Sequence, residues 1–334
     1  MKLRRQHLLQ KLMTLLVAVS LITMTGCGQT KGIDTGDSAN SADTKDTKVY
    51  RIGVIQLVEH AALDAANKGF FDGLDEAGIA YEVDQQNAQG DQTACDTIAT
   101  KLVNDGNDLI LAIATPAAQA VAGKTTQIPI LVTAVTDPAS SGLVDTNEVP
   151  GGNVTGTSDL TPVKEQIALL KALLPEAKKV GILYCTAETN SSFQATLAQK
   201  EIEAAGLTWQ DFTVSSSNEI QSVTESMIGK VDVIYIPTDN VISAGIASVA
   251  MVANDNLMPT IVGESAMVDA GALATIGIDY YNLGKKTANQ AVKILTGEAT
   301  PAQMPIEYLT VDQCEFAGNE ETAAALKIDL SAFK

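Results

Sequence analysis

The residues in this chain best suited to chemistry are short polar groups, each following an apolar run. Thr115 comes after Leu109-Ile110-Leu111-Ala112-Ile113 and before Pro116-Ala117-Ala118. Thr136 and Asp137 precede Pro138, Asn190 and Ser191 come after the run ending at Tyr184, and Asp239 and Asn240 come after the run ending at Ile236. Gln56 and Glu59 stand after the first such run, and Glu264 and Asp279 after later ones. Hydroxyls, amides and carboxylates at these places suit reversible binding. A capped helix start with Pro at its first position and small residues behind it aims free N–H groups at an anion. Thr115 with the N–H groups of Ala117 and Ala118 therefore forms a receptor for a carboxylate. Asp239, in an otherwise neutral junction, is the candidate partner for an ammonium. Together they suit an α-amino acid zwitterion, whose charge-assisted hydrogen bonds are strong in a closed, partly dry cleft. Plain helix and turn capping would explain each junction taken singly.

Chemistry of other kinds lacks its parts. Once an export signal is removed, His60 is the one histidine left, so a His-rich metal cluster is excluded. The chain has no Gly-x-Ser-x-Gly elbow and no phosphate loop, and Gly151-Gly152-Asn153 lacks the strand and helix of a dinucleotide turn. No nucleophile or base is positioned for catalysis, and no cofactor, metal ligand or catalytic residue is expected. A formal net charge of −18, with no basic cluster after Lys11, argues against nucleic acid.

The elements that must position the polar groups alternate regularly from Tyr50. Strands are expected at Tyr50 to Leu57, Ala80 to Asp84, Leu109 to Ile113 and Pro129 to Ala134, with helices at Ala61 to Ala77, Asp91 to Asp105 and Pro116 to Gly123. After a turn at 151–156 the series restarts. Helices are expected at Pro162 to Leu174, Ser191 to Ala205, Ser217 to Ile228, Val241 to Ala253, Tyr281 to Leu295 and Glu320 to Leu326. Strands are expected at Lys179 to Tyr184, Leu207 to Val214, Val231 to Ile236, Pro259 to Val262, Leu273 to Ile278 and near Pro305 to Val311. Such alternation specifies an α/β fold of two hinged, doubly wound parallel-sheet lobes. Open α/β sheets bind at the carboxyl ends of their strands, and every junction above lies on such an edge.

Before the fold, Lys2, Arg4, Arg5 and Lys11 precede an apolar run from Leu12 to Met24 and then Thr25-Gly26-Cys27. A basic start and a run of about 13 residues describe an export signal and are short for a membrane span. Cys27 after small residues resembles a bacterial lipobox, which implies a diacylglyceryl anchor on its thiol. Gly28 to Lys48 is a polar, flexible tether. Cys95, Cys185 and Cys314 show no metal or redox spacing, and a bridge among them stays open.

Several segments resemble the lipid-anchored ABC-transporter solute-binding proteins of the tryptophan/tyrosine-binding type. They are Ile52-Gly53-Val54-Ile55-Gln56 with Glu59-His60, Leu63-Asp64-Ala65-Ala66, Ala112 to Ala120, Val135-Thr136-Asp137-Pro138, Asn153 to Asp159, Asn190-Ser191, Pro237 to Asn240 and Gly277 to Tyr281. The resemblance implies a type I periplasmic-binding-protein fold, capture of an aromatic amino acid between hinged lobes, and delivery to a membrane permease with its ATPase. It implies a signal at 1–26, a tether at 27–48, one lobe from 49–156 plus about 279–300, and a second from 157–278 plus about 301–334. Ala61 stands where a proline is usual, and Tyr184-Cys185-Thr186 replaces Tyr-Asn-Pro. Tyr184, Tyr235, Phe70 and His60 are the candidates for contact with an aromatic ligand. A receptor for a branched amino acid, sugar or nucleoside, and an adhesin or sensor on the same scaffold, are the alternatives, since fold does not fix ligand.

Overall fold

The computed structural model describes residues 48–333. The export signal, Cys27 and all but the last residue of the expected tether lie outside them. The first series runs β1 (Tyr50–Gln56), α1 (Ala61–Glu76), β2 (Tyr81–Asn87), α2 (Gln92–Asn104), β3 (Leu109–Ile113), α3 (Thr115–Ala122), β4 (Ile130–Thr133) and β5 (Val154–Ser158). The second runs α4 (Val163–Leu173), β6 (Lys179–Cys185), α5 (Thr189–Ala204), β7 (Thr208–Val214), α6 (Ile220–Met227), β8 (Val233–Ile236), α7 (Asn240–Ala244), α8 (Ile246–Asp255), β9 (Thr260–Val262), α9 (Ser265–Asp269) and β10 (Ala274–Gly277). The chain ends with α10 (Tyr280–Leu295), β11 (Glu307–Tyr308), β12 (Glu315–Gly318) and α11 (Glu320–Leu326).

Two six-stranded sheets result, ordered β11-β5-β4-β3-β1-β2 and β12-β10-β9-β8-β6-β7. All pairings are parallel except β10 with β12. The doubly wound two-lobe architecture is the expected one. β3 is buried along its whole length, as a central strand covered on both faces must be. Ala62, Leu63, Ala66, Phe70 and Leu74 line the buried stripe of α1, and Asp91 caps α2 by accepting from the N–H groups of Thr93 and Ala94.

The chain passes between sheets after β5, after β10 and after β11. The last passage corrects an expected boundary: β11 pairs with β5, so the chain leaves the first lobe after Tyr308 and not near 301. The expected helix from Val241 to Ala253 is two helices broken at Gly245, which packs against Ile220. Helix α10 returns to the first lobe and lies against α1 with backbones in close approach. A Cβ on Gly69 would sit 2.0 Å from the carbonyl oxygen of Tyr281, and one on Gly284 would sit 2.0 Å from that of Ala66. Only glycine permits this contact. Among the described residues, no helix is long and apolar enough to cross a membrane.

Candidate functional site

Register brings the first lobe's junctions together: Gln56 ends β1 beside Ile113, the last residue of β3. The turn from β3 into α3 is made by Ala114, at φ 81° and ψ 153°, a region otherwise reserved for glycine. Such a backbone costs about 1–3 kcal/mol and persists where its surroundings over-determine it, commonly at ligand sites. Ala114, and not Thr115, occupies the cap position, so Thr115 opens the helix with its hydroxyl uncommitted. That hydroxyl is buried and has no hydrogen-bond partner among the described residues. The N–H of Ala118 is spent on the carbonyl of Ala114 at 3.0 Å, which corrects the expected cradle. The first-turn N–H groups of Thr115 and Ala117 are the ones a helix cannot satisfy internally.

Gln56 organises the loop beside this turn, donating to Val58 O and Asp64 Oδ1 and accepting from Asn67 Nδ2. Glu59 is exposed. Asp137 accepts from the Ser140 N–H at 2.8 Å and from Asn147 Nδ2 at 3.3 Å, holding its own turn.

In the second lobe, Asp239 caps α7. Its Oδ1 accepts from the Ile242 N–H at 2.8 Å and its Oδ2 from the Cys185 N–H at 2.6 Å, so both oxygens are taken within the lobe. Beside it, Oε2 of Glu188 gathers Asn190 Nδ2, Ser191 Oγ, the Asn240 N–H and Asn240 Nδ2 at 2.9–3.4 Å. Burial raises the pKa of both carboxyls, and the charge of Asp239 raises that of Glu188 further. Glu264 is buried at the end of the junction after β9, accepting from Ser243 through Oε1 while Oε2 has no partner among the described residues. Asp279 is exposed and caps α10 through the Asn282 N–H. Tyr184 is half-buried beside Asp211 and packs on the second-lobe core.

The two edges meet. Gln194 of α5 donates to Thr136 Oγ1 in the first lobe at 3.1 Å and to the Thr238 carbonyl at 3.0 Å. His60 reaches across with Nε2 3.3 Å from Asn240 Oδ1 and Nδ1 3.5 Å from Ser243 Oγ. Ser243 gives its hydrogen to Glu264 and Asn240 gives its amide hydrogens to Glu188, so both partners present oxygen to the ring. Asp159, just past β5, accepts from the Tyr280 hydroxyl through Oδ2 at 2.9 Å, while its Oδ1 has no partner among the described residues. Burial pushes Asp159 up to about 6; the Tyr280 bond opposes this and the charge of Glu264 adds to it.

Glu188, Gln194, Ser243, Asp159 and Tyr280 were not singled out from sequence as site residues. For Gln194 a signal was available, since it lies one helical turn beyond Asn190. Phe193 was also missed. It lies three residues beyond Asn190, is half-buried, and joins none of the apolar clusters of either lobe. Two of the four aromatic candidates read from sequence sit elsewhere: Phe70 is fully buried in the first core, and Tyr235 is fully buried with its hydroxyl on Gln166.

The family model described as ABC transporter substrate binding protein matches residues 51–332. A tyrosine-binding protein of Clostridioides difficile (strain R20291) is 40% identical over 323 residues, which cover 95% of this chain and 92% of that protein. The solved ABC domain from Streptococcus pneumonia in complex with L-Trp is 40% identical and superposes with a TM-score of 0.82, covering 85% of this chain and 96% of that one. The ligand-free, open structure of a substrate-binding protein with adhesive properties from Clostridium difficile is 42% identical, with coverage of 84% and 96% and a TM-score of 0.66. At nearly equal identity the chain superposes better on the liganded structure than on the open one. The hydrogen bonds that join the lobes here agree with that.

Proposed function

Because this chain belongs to the family of ABC transporter substrate-binding proteins, extracytoplasmic receptors that present small molecules to a transporter, we propose that it captures an aromatic amino acid, tyrosine or tryptophan. The carrying observation is the meeting of two unlike strand-edge sets: a helix start with an uncommitted hydroxyl on one lobe, and buried carboxylates on the other. The first suits the ligand's carboxylate and the second its ammonium. Neither lobe satisfies both ends alone, so the ligand favours the closed form. Phe193, free of both cores, is the aromatic surface offered to the ligand's ring. The 40% identity to a tyrosine-binding protein and the likeness to a structure holding L-Trp support the same ligand class.

Cys27 carries the lipid that keeps the receptor at the membrane, and an ABC permease with its ATPase accepts the amino acid. Thermal unfolding of the mature protein tests the ligand. L-tyrosine or L-tryptophan should stabilise saturably, by about 2.7 kcal/mol at 100 times the dissociation constant. Stabilisation by leucine, a sugar or a nucleoside instead overturns the aromatic reading. Loss of radiolabelled palmitate in Cys27→Ala tests the anchor.

A further inference from the structure

Four carboxylates are buried where the lobes meet: Asp159, Glu188, Asp239 and Glu264, each no more than 3% exposed. None forms an ion pair with Lys or Arg among the described residues. The basic side chain that touches this network is His60, and its ring is taken up by Asn240 and Ser243. Buried carboxylates without a counter-charge are costly, so the two that carry a fully buried oxygen with no partner identify where a cation fits.

Capacity separates the four. Asp239 has both oxygens on backbone N–H groups, and Glu188 is held by four donors, all on Oε2, with its Oε1 outside the set of buried unpartnered oxygens. Asp159 Oδ1 and Glu264 Oε2 are buried and unpartnered. The Thr136 hydroxyl lies beside the Asp159 carboxyl without completing hydrogen-bond geometry. The two acids are near enough that the charge of Glu264 acts on both Asp159 and Tyr280. The other oxygen of each is fixed, that of Asp159 by Tyr280 and that of Glu264 by Ser243, so the free oxygens are held in place before a ligand arrives.

Resting on the amino-acid reading above, we infer that Asp159 and Glu264 together bind the ligand's ammonium group, with Asp239 serving to cap α7 and brace the end of β6. The pair straddles the hinge. Asp159 stands where the chain leaves the first lobe and Glu264 on the second-lobe edge, so an ammonium held by both draws the edges together.

The test is a cycle between protein and ligand. Calorimetry on the mature protein compares L-tyrosine with 3-(4-hydroxyphenyl)propionate, which lacks only the amino group, for wild type, Asp159→Asn and Glu264→Gln. Asp159→Asn keeps an acceptor for Tyr280, and thermal unfolding without ligand verifies that each variant is folded. The wild type should prefer tyrosine at least 100-fold. Each variant should lose at least tenfold in tyrosine affinity while holding the desamino ligand within threefold. Equal losses for both ligands, or no loss for tyrosine, overturn the assignment. A wild type that binds both ligands equally also overturns it. A wild type that binds neither tyrosine nor tryptophan overturns the functional reading and the assignment with it.

Discussion

The hydroxyl of Tyr280 donates to Asp159 across 2.9 Å, joining two of the strands of chain that connect the lobes. Asp159 lies on the outward passage after β5 and Tyr280 opens α10 on the return. Hinge segments are ordinarily the loosest part of a two-lobe protein, whereas these are pinned to each other by a buried bond.

Tyr280→Phe should therefore destabilise the protein by about 1–3 kcal/mol, because it leaves a buried carboxylate oxygen without its donor. Urea unfolding without ligand measures the loss. A change below 0.5 kcal/mol, taken as a rough threshold for an inert surface substitution, would mean that the bond contributes nothing net.

Asp159 also sets a pH dependence. Its pKa rises from 3.8 in the unfolded chain to about 6 when folded, so folding takes up a proton between those values. The stability this contributes is complete below pH 3.8 and is lost as pH rises through 6, at a slope of up to about 1.4 kcal/mol per pH unit. The stability difference between wild type and Asp159→Asn should change across that window in this sense and level off above it. Chemical denaturation of both proteins from pH 4 to 8 tests this, and an invariant difference would contradict it.

Phe193→Ala should weaken tyrosine and tryptophan about tenfold, since ring contacts contribute roughly 0.5–1.5 kcal/mol beyond the area they cover. Its position outside the apolar cores predicts little change in unliganded stability. Calorimetry paired with thermal unfolding separates the two effects. A large fall in melting temperature with unchanged affinity would assign Phe193 to packing.

Gly284→Ala probes the α1–α10 contact. Its Cβ would lie 2.0 Å from the Ala66 carbonyl oxygen, so the helices must part. The expected cost is about 1–3 kcal/mol, with Gly69→Ala similar and the double variant less than additive. Urea unfolding of the three variants provides the comparison.

Much of the scaffold was legible because it rests on local pattern. β3 falls at its expected bounds, since an unbroken aliphatic run of that length has no polar face to expose. The break at Gly245 was not legible, because it depends on Ile220 packing against the bend. Strand β12 was missed for a related reason: it is a short, half-buried antiparallel edge with little alternation. At the site, the junctions were visible but the division of labour within them was not. Nothing near Asp239 in sequence shows that the N–H of Cys185, 54 residues away, occupies one of its oxygens. The pairing of Asp159 with Tyr280 spans 121 residues, beyond any periodicity or spacing rule. Thr115 looked like a cap because threonine caps well, yet the sharp backbone at Ala114 took that position and freed the hydroxyl.

The threefold passage of the chain between sheets bears on how the molecule can come apart. Neither lobe is encoded by one uninterrupted stretch: the first needs β11 and the second needs β12, both from the final thirty or so residues. A single protease nick in any connection leaves the halves joined by the other two. A gene shortened before β11 would leave β5 an unpaired edge strand and β10 without its antiparallel neighbour, damaging both halves at once.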